Sequence, residues 1–394
     1  MSYDFDPFDV DQAQAAWPLL ERMRGDAAVV EISRGMRYVT RYEVCRDVLR
    51  DPSAFPNGTS MKEPGVVVPV LDRTLGEMDG PQHATVRRVT VSALTPRLVH
   101  AAEPFMRETA HALLDARPRD LVPGFTVPLP NRVTVHMLGF PATDADDIAR
   151  WAKELMESGF SKTNRSARGE GFATAFPEFA GYIDDRIASR RAELAAGRDE
   201  HPDEVLTRLI KMEELDPRQV RALVRNLITG GLTTTSQLLG NVVHLLISDQ
   251  ERQAAVRTNL EGAIEESLRL QPPVLFVGRD CPEGAVVDGC PVPPSTKVIV
   301  GSASANRDAD VFDDPDEFRA GRANADSHLT FGYGVHVCPG ASLARAVARV
   351  GLGVLLERYP PGTLEAVPGY RYENVPTHFE CGPRSLPITD HEHG

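Results

Sequence analysis

The segment at residues 328–340 constrains this chain more than any other, because it places Cys338 between closely spaced glycines and the start of a helical pattern. Gly332 and Gly334 permit positive φ angles and a close approach of the backbone, as a tight turn around a thiol requires. Unpaired N–H groups and the positive dipole at the start of the helix favour a charged sulfur. An isolated cysteine is otherwise usually a small buried hydrophobe. The segment predicts a loop that presents a thiolate, which can ligate iron.

The motif Phe331-Gly-x-Gly-x-His336-x-Cys338-x-Gly340 resembles the haem-binding loop of the haem-thiolate monooxygenases, the cytochrome P-450 family. In that family the cysteine is the proximal iron ligand, and its electron donation favours cleavage of the O–O bond. The resemblance assigns iron ligation to Cys338 and haem contacts to Phe331 and Gly340. It implies haem b as cofactor and a mainly α fold with a minor β region, a triangular prism of helices beside a small sheet-rich part.

Composition narrows the classes of function. The chain has 394 residues, 42% of them hydrophobic, and no apolar run of membrane-spanning length, so we expect a large core and no membrane partner. The acidic N-terminus lacks the basic region and apolar block of a secretory signal, which predicts a cytoplasmic location. Five cysteines, an odd number, do not form a disulfide framework. A net charge of −13 argues against nucleic acid as the main partner.

The length alone allows two or three domains, whereas the resemblance implies a single domain over residues 1–394. We expect an N-terminal β-bearing part at about residues 1–80 and a helical haem-binding body at about residues 81–394. Apolar spacing predicts helices and short strands in the order given by these ranges: helices near 12–24, 42–49, 96–116, 126–138, 143–158, 172–194, 203–213 and 217–246, and strands near 28–32, 37–40, 274–279, 285–287 and 298–300.

Two basic side chains, His83 and Arg87, are spaced i,i+4 and so share one helix face. From spacing alone a solvated polar face is the preferred interpretation. The family, however, has a His-x-x-x-Arg helix here whose side chains hold the haem propionates, and both residue types suit charge-assisted bonds to carboxylates. The resemblance adds Arg279, in the strand after Pro272-Pro273, and His336 as further propionate partners.

The long helical pattern at residues 217–246 contains two adjacent glycines and a run of threonines near its middle. The glycines cost roughly 2 kcal/mol relative to alanine, so an ordinary helix would not favour this composition. Missing side chains leave room for a ligand, and threonine hydroxyls can bond to helix carbonyls or water and locally open the helix. The alternative is a core helix with a small-residue crossing.

This stretch, Gly230-Gly231-Leu232-Thr233-Thr234-Thr235, resembles the family's oxygen-binding segment Ala-Gly-x-acid-Thr-Thr. The resemblance gives Gly231 a haem contact and Thr234 the role of hydrogen-bonding dioxygen and helping to deliver protons. Thr233 departs from the pattern, because it stands where the family usually has Asp or Glu. A hydroxyl cannot act as a titrating carboxylate, so proton delivery through Thr233 and water is one expectation and slower delivery another.

Glu266 and Arg269 are spaced i,i+3 and so share one helix face. Alone this is a common surface pair that would stabilise little. The family has a Glu-x-x-Arg pair here, completed by an arginine before the haem loop. Arg322 fits that third position, with Arg319 as a substitute, and all of these are structural residues.

The substrate pocket is predicted from resemblance and from apolar side chains near the expected haem. The long loop at residues 51–79 is the expected roof of the pocket. Aromatic residues such as Phe172 and Phe176 more often belong to the core. The pocket residues assigned are Val67, Met156, Phe160, Ile228, Gly230, Val274, Phe276 and Phe379.

The implied reaction is insertion of one atom of O2 into a small-to-medium apolar substrate by hydroxylation, epoxidation or dealkylation. NAD(P)H electrons would arrive through ferredoxin and ferredoxin reductase, since the chain carries no flavin or iron–sulfur segment, and we expect a monomer. Arg88, Arg345 and Arg349 are candidates for a basic docking patch. Two alternatives are open: a peroxide-dependent haem enzyme, motivated by Thr233, and a non-catalytic haem-binding interaction protein. Substrate identity and regiochemistry are not determined by the sequence.

Overall fold

The computed structural model describes residues 1–58, 62, 66, 68–158 and 171–390. Within these ranges the chain forms sixteen α-helices: α1 Val10–Gln14, α2 Trp17–Asp26, α3 Tyr42–Arg50, α4 Gly80–Ala93, α5 Pro96–Ala101, α6 Glu103–Asp115, α7 Pro128–Leu138, α8 Ala145–Ser158, α9 Phe172–Ala175, α10 Pro177–Ala195, α11 Val205–Ile210, α12 Pro217–Ser248, α13 Gln250–Thr258, α14 Leu260–Leu270, α15 Ser302–Ala305 and α16 Ala341–Arg358.

Eight short strands form three small sheets in the same part of the chain: β1 Val29–Glu31, β2 Arg37–Val39, β3 Val277–Cys281, β4 Ala285–Val287, β5 Cys290–Val292, β6 Thr296–Val300, β7 Leu364–Ala366 and β8 Ile388–Asp390. The largest has the order β1-β2-β6-β3, and β2 runs parallel to β6 with Tyr38 opposite Ile299. In this sheet β1 and β2 lie before residue 80 and β3 and β6 after it. Hydrogen bonds between β2 and β6 therefore join the proposed N-terminal part to the helical body.

Proline divides regions that the apolar spacing treats as single helices. The region near 96–116 becomes α5 and α6, and Pro104 occupies the first turn of α6. Pro177 likewise begins α10 after the short α9. Proline lacks an N–H and is tolerated in a first turn but not in a helix interior. The helix near 203–213 is shorter than predicted, ending at Ile210.

The central helix α12 runs for 32 residues through the interior. It begins at a capping box, in which Asp216 accepts from the backbone and the Gln219 side chain bonds back to the Asp216 N–H. Its apolar side chains, including Leu223, Leu239 and Val242, are almost completely buried. Their burial against α7, α8 and α16 overcomes the low helix propensity of its Gly-Thr segment.

The large core contains the two phenylalanines whose place the sequence left open. Phe172 and Phe176 are buried in the cluster formed with Phe179 of α10 and the flanks of α12. They therefore belong to the core, as aromatics at such spacing usually do. Of the described helices, none combines the length and apolar character that crossing a membrane requires.

Candidate functional site

A cavity of about 350 Å³ lies between the middle of α12 and the loop that precedes α16. One wall is formed by Gly230, Gly231 and Thr234, and the opposite wall by Phe331, Cys338 and Gly340. The remaining lining is mostly apolar and comes from several helices and from the loop at residues 51–79: Leu75, Leu94, Met137, Leu138, Leu223, Leu227, Leu238, Val274 and Val277. The two sequence motifs singled out as most unusual thus face each other across one space.

The glycines of α12 open the cavity on the helix side. A Cβ placed on Gly230 would find only the Asn226 amide, 3.8 Å away, and one on Gly231 would lie 3.3 Å from the Thr134 hydroxyl. The hydroxyl of Thr234 donates to the Gly230 carbonyl at 2.6 Å, and that of Thr233 donates to the Thr229 carbonyl at 3.2 Å. The hydroxyls bond back along the helix as expected. However, the expectation of a locally opened helix is wrong, because α12 is continuous through this segment.

On the other side, the loop turns tightly around Cys338. The Cys338 N–H donates to the Phe331 carbonyl at 2.8 Å, and Gly332 and Gly334 have φ angles of +74° and +72°. The thiol is accessible from the cavity. Burial raises the pKa of Cys338, while the N–H of Gly340 and the charge of Arg87 lower it. The N–H groups expected at the start of α16 are therefore in place beside the sulfur.

Gly334→Ala tests whether this turn depends on glycine. Its φ is positive, and an added Cβ would lie 2.8 Å from the Leu49 carbonyl oxygen. We expect the free energy of unfolding in urea to fall by about 1–2 kcal/mol, the cost of a left-handed backbone for a residue with a Cβ. Gly353→Ala in α16 is the control, because it has no atom within 4 Å of an added Cβ and should not destabilise. Equal stability of the two variants would contradict the strained turn.

A basic cluster lies along one edge of the cavity, where Arg87, Arg279 and His336 contribute to the lining. His83 does not line it, and its ring instead packs on His336 with centroids 4.0 Å apart. Burial, together with the charges of His336 and Arg87, lowers the pKa of His83 to about 4. The His83 ring is thus neutral at pH 7, with one donor and one acceptor nitrogen, and would meet a carboxylate through its N–H without adding a charge.

Two residues that sequence reasoning missed orient His336. Its Nε2 lies 3.1 Å from Asp79 Oδ1, and its Nδ1 lies 3.1 Å from the Asn57 amide. Asp79 precedes α4, and Asn57 belongs to the loop before it. The only local signal is that Asp79 stands at a helix start, a common place for Asp.

The cluster has the donors that a porphyrin dicarboxylate needs. Arg279 is 5% exposed and donates to its neighbour's carbonyl, and Arg87 donates to the Val337 carbonyl at 2.8 Å. Burial lowers the pKa of Arg279 to about 10, so it stays cationic at pH 7. In the described part of the chain neither arginine forms an ion pair, and the buried His83 Nε2 has no hydrogen-bond partner. Buried charges normally require a counter-charge, so these residues fit a haem with two propionates.

The predicted ion cluster is assembled beneath the loop. Arg269 donates to both carboxylate oxygens of Glu266, at 2.7 and 2.9 Å, and Arg322 Nε donates to the same carboxylate at 2.9 Å. Arg319 contributes its backbone N–H at 3.0 Å, while its side chain turns to Asp314 and Glu317. Arg322 therefore occupies the third position. Arg269 also donates to three backbone carbonyls of residues 306–317, which ties this segment to α14.

The predicted substrate residues divide into two groups. Gly230 and Val274 line the cavity, but four others do not and are buried in the hydrophobic core: Met156, Ile228, Phe276 and Phe379. These four residues do not line this cavity, so their assignment to the substrate pocket stays a prediction. Ile228 precedes Gly230 by two residues and so points about 200° away around the helix. Val67 and Phe160 lie outside the described residues.

The three candidate docking arginines are each paired with a carboxylate. Arg345 makes two 2.7 Å bonds to Glu265, Arg349 lies 2.6 Å from Glu103, and Arg88 lies 3.0 Å from Glu214. Arg345 and Arg349 line one groove of about 570 Å³, which Arg88 does not share. The structure does not bring the three together as one unpaired basic patch.

Comparison with known proteins is consistent with this site. The family model for cytochrome P-450 matches residues 151–264 and 258–368. An erythromycin C-12 hydroxylase of Saccharopolyspora erythraea is 31% identical, over 94% of this chain and 93% of the relative. A mycinamicin IV hydroxylase/epoxidase of Micromonospora griseorubida is 33% identical, over 89% and 88%.

The fold also matches solved structures of cytochrome P-450 proteins. A solved structure of a mutant of the cytochrome P-450 EryK in complex with erythromycin B superimposes with a TM-score of 0.81 at 29% identity, over 98% of this chain and 99% of that one. The predicted family and the mainly helical fold are confirmed. The chain belongs to the cytochrome P-450 family and is a monooxygenase that uses haem, dioxygen and NAD(P)H electrons delivered by redox partners.

Proposed function

We propose that this chain inserts one oxygen atom into a small-to-medium apolar organic substrate held against Gly230, Gly231 and Thr234. The observation that carries the proposal is the single cavity that these residues share with Cys338. Its lining is dominated by leucine, methionine and valine side chains, which bind apolar groups through the hydrophobic effect. The hydroxylase names of the relatives favour a secondary-metabolite substrate.

The residues at the cavity edge would hold the cofactor. Cys338 is the only cysteine among the lining residues and would ligate the iron. Arg87 and Arg279 would pair with the propionates, with His83 as a hydrogen-bond donor. His336, whose ring nitrogens contact Asp79 and Asn57, would donate to a propionate only by giving up the Asp79 contact. Asp79 and Asn57 hold the His336 ring in place. When bound, the haem thiolate supplies the oxygen-activating chemistry.

The chain's own contribution is to exclude water and to place a hydroxyl. The Thr234 hydroxyl faces the cavity and is held by the Gly230 carbonyl, so it can turn to donate to a ligand without moving the helix. Electrons from NAD(P)H would arrive through a ferredoxin and its reductase, with the chain acting as a monomer. Arg345 and Arg349 would have to exchange their carboxylate partners for those of a ferredoxin to take part in docking.

A peroxide-dependent reaction is the second candidate, since Thr233 replaces the usual acid. Equal product formation with peroxide and with NAD(P)H plus redox partners would support a peroxide-dependent reaction. Dependence of product formation on the redox partners would exclude it. The non-catalytic alternative is not supported, because the relatives are named as hydroxylases and an epoxidase.

Gly230→Leu tests the proposed position of the substrate. The added side chain should enter the cavity without a backbone clash, because only the Asn226 amide lies within 4 Å of its Cβ. In a screen of apolar compounds that shift the haem from low to high spin, we expect the larger ligands to bind at least about 10-fold more weakly, a loss of about 1.4 kcal/mol. The carbon monoxide spectrum should be retained.

The matched control is Gly181→Leu, an exposed helix glycine with no atom within 4 Å of an added Cβ. It should leave every ligand affinity unchanged. Unaltered affinities in Gly230→Leu, or an equal loss in both variants, would count against the placement of the substrate beside α12.

A further inference from the structure

A buried carboxyl lies beside the Gly-Thr segment of α12, on the side of the helix away from the cavity. Glu380 is 3% exposed and belongs to the segment between β7 and β8. The hydroxyls of Thr233 and Thr377 lie close enough to its side chain to lower its pKa. The Glu380 N–H donates to the Thr377 hydroxyl at 3.2 Å, and the Asn241 amide of α12 donates to the Cys381 carbonyl at 3.0 Å, which places this segment against α12. Glu380 itself does not line the cavity, but it pairs as an isolated β-bridge with Val274, which does.

The backbone around Glu380 is held firmly against the cavity wall. The Leu275 N–H donates to the Phe379 carbonyl at 2.8 Å, and the Cys381 N–H donates to the Pro273 carbonyl at 3.0 Å. The Asn374 amide donates to the Glu380 carbonyl at 3.2 Å. The position of this carboxyl relative to α12 is therefore set by hydrogen bonds on both sides of it.

The Glu380 carboxyl has fewer hydrogen-bond and ion-pair partners among the described residues than a buried structural carboxyl usually has. Glu380 Oε1 is buried, and no donor of the described residues lies within hydrogen-bonding geometry of it. No cation among the described residues forms an ion pair with it, in contrast to Glu266, which binds two arginines. A buried carboxylate without a cation is costly, so its neutral form is favoured.

Among the residues that the structure describes, few groups face the carboxyl. They are Thr233 of α12, Thr377 of its own segment and Glu157 of α8, whereas the adjoining Val274 and Phe276 are apolar and the His378 ring packs against Phe8, Phe276 and Phe379. Burial raises the pKa of Glu380 to about 7; the two threonine hydroxyls lower it and Glu157 raises it. Both protonation states are therefore populated near neutral pH.

We propose that Glu380 holds the proton that an acid at position 233 would otherwise supply, and that it delivers this proton towards the cavity through the hydroxyl of Thr233. The proposal rests on the monooxygenase function proposed above. Thr233 faces Glu380 and its neighbour Thr234 faces the cavity, so the two hydroxyls lie between the carboxyl and the substrate space. Glu380 acts through Thr233: it holds the proton close to the Thr233 hydroxyl and does not itself contact the substrate.

The step moves one proton and no electrons. The Glu380 O–H bond breaks as the Thr233 oxygen accepts that proton. Thr233, turned away from the Thr229 carbonyl, gives its own hydroxyl proton to the Thr234 oxygen, and Thr234 in turn gives its hydroxyl proton to a water molecule in the cavity. The carboxylate that remains regains a proton from solvent water.

Glu380→Gln is the first test, because it keeps the shape and removes the titrating proton. Infrared spectra of the haem-loaded protein, recorded across pH 5–9, should show a protonated-carboxyl band in the wild type that disappears with a midpoint near pH 7. The band should be absent in Glu380→Gln. Glu373→Gln, an exposed acid on the same segment, is the control and should retain it. A band that persists in Glu380→Gln would overturn the proposal.

Turnover is the second test, with 7-ethoxycoumarin as an apolar dealkylation probe. Glu380→Gln should lower the NAD(P)H-driven rate, and the product per NAD(P)H, by about 10- to 100-fold. Peroxide-driven turnover should be unchanged, because peroxide brings both electrons and protons with it. Thr233→Asp in the Glu380→Gln background should restore coupling by returning a carboxyl to the helix.

The outcomes separate this proposal from the one on which it rests. Equal loss of peroxide-driven and NAD(P)H-driven turnover in Glu380→Gln would indicate a structural role and would overturn the relay. Unchanged coupling would do the same. If wild-type protein instead shows no haem-thiolate spectrum and neither form of turnover, the proposed function itself has failed.

Discussion

Replacing Cys338 with alanine should abolish the red-shifted absorption that a haem-thiolate protein shows when it is reduced and treated with carbon monoxide. Cys338 is the only cysteine among the described residues that line the cavity, and it faces the glycines of α12, so alanine leaves the iron without its anionic ligand. NAD(P)H-driven product formation should become undetectable, because the electron donation that favours O–O cleavage is lost.

Cys290→Ala is the matched control for this variant. Cys290 lies on β5, is partly exposed and does not line the cavity, so the spectrum should be unaltered. Both proteins should remain folded, because the Cys338 side chain faces the cavity rather than the packed core. Retention of the red-shifted band in Cys338→Ala would show that another group holds the iron.

Replacing Glu266 with glutamine should produce the largest loss of stability. The carboxylate is fully buried and accepts from Arg269, Arg322 and the Arg319 backbone. The neutral amide would leave two buried guanidinium groups without a counter-charge, and breaking such a pair costs about 3–5 kcal/mol. Urea unfolding of the purified protein measures the change. A loss of this size can also prevent folded protein from accumulating.

Glu261→Gln serves as the control on the same helix, because its side chain is exposed and should have little effect. Arg322→Ala and Arg319→Ala give a second comparison. The Arg322 side chain is 5% exposed and the Arg319 side chain 42%. We expect Arg322→Ala to destabilise strongly and Arg319→Ala weakly. The reverse order would mean that Arg319 completes the cluster.

Local sequence motifs predicted those parts of the site whose geometry is set within a few residues. The glycines around Cys338, the Glu266–Arg269 spacing and the His83–Arg87 spacing each describe one turn or one helix face. Backbone sterics and helical periodicity determine such arrangements. The predicted order of helices agrees closely with the structure for the same reason, and proline accounts for the divided helices.

The predicted substrate wall agrees only in part with the residues that line the cavity, and the difference has one cause. Met156, Phe276 and Phe379 are apolar and near the site, but they pack together in the core instead of lining the cavity. The hydrophobic effect favours burial of an apolar side chain whether it packs against protein or against a ligand. Which of the two occurs depends on the packing of distant elements, and periodicity carries no information about that.

The sequence by itself determined the tight loop around Cys338, the glycine-bearing helix and the departure at Thr233, because each is a matter of residue types at short spacing. Only the tertiary structure decided which side chain lies next to Thr233 on the face away from the cavity. Glu380 reaches it because the segment between β7 and β8 hydrogen-bonds to residues 273–275 beside α12. Contacts between residues so far apart in the chain depend on long-range packing, which no local pattern encodes.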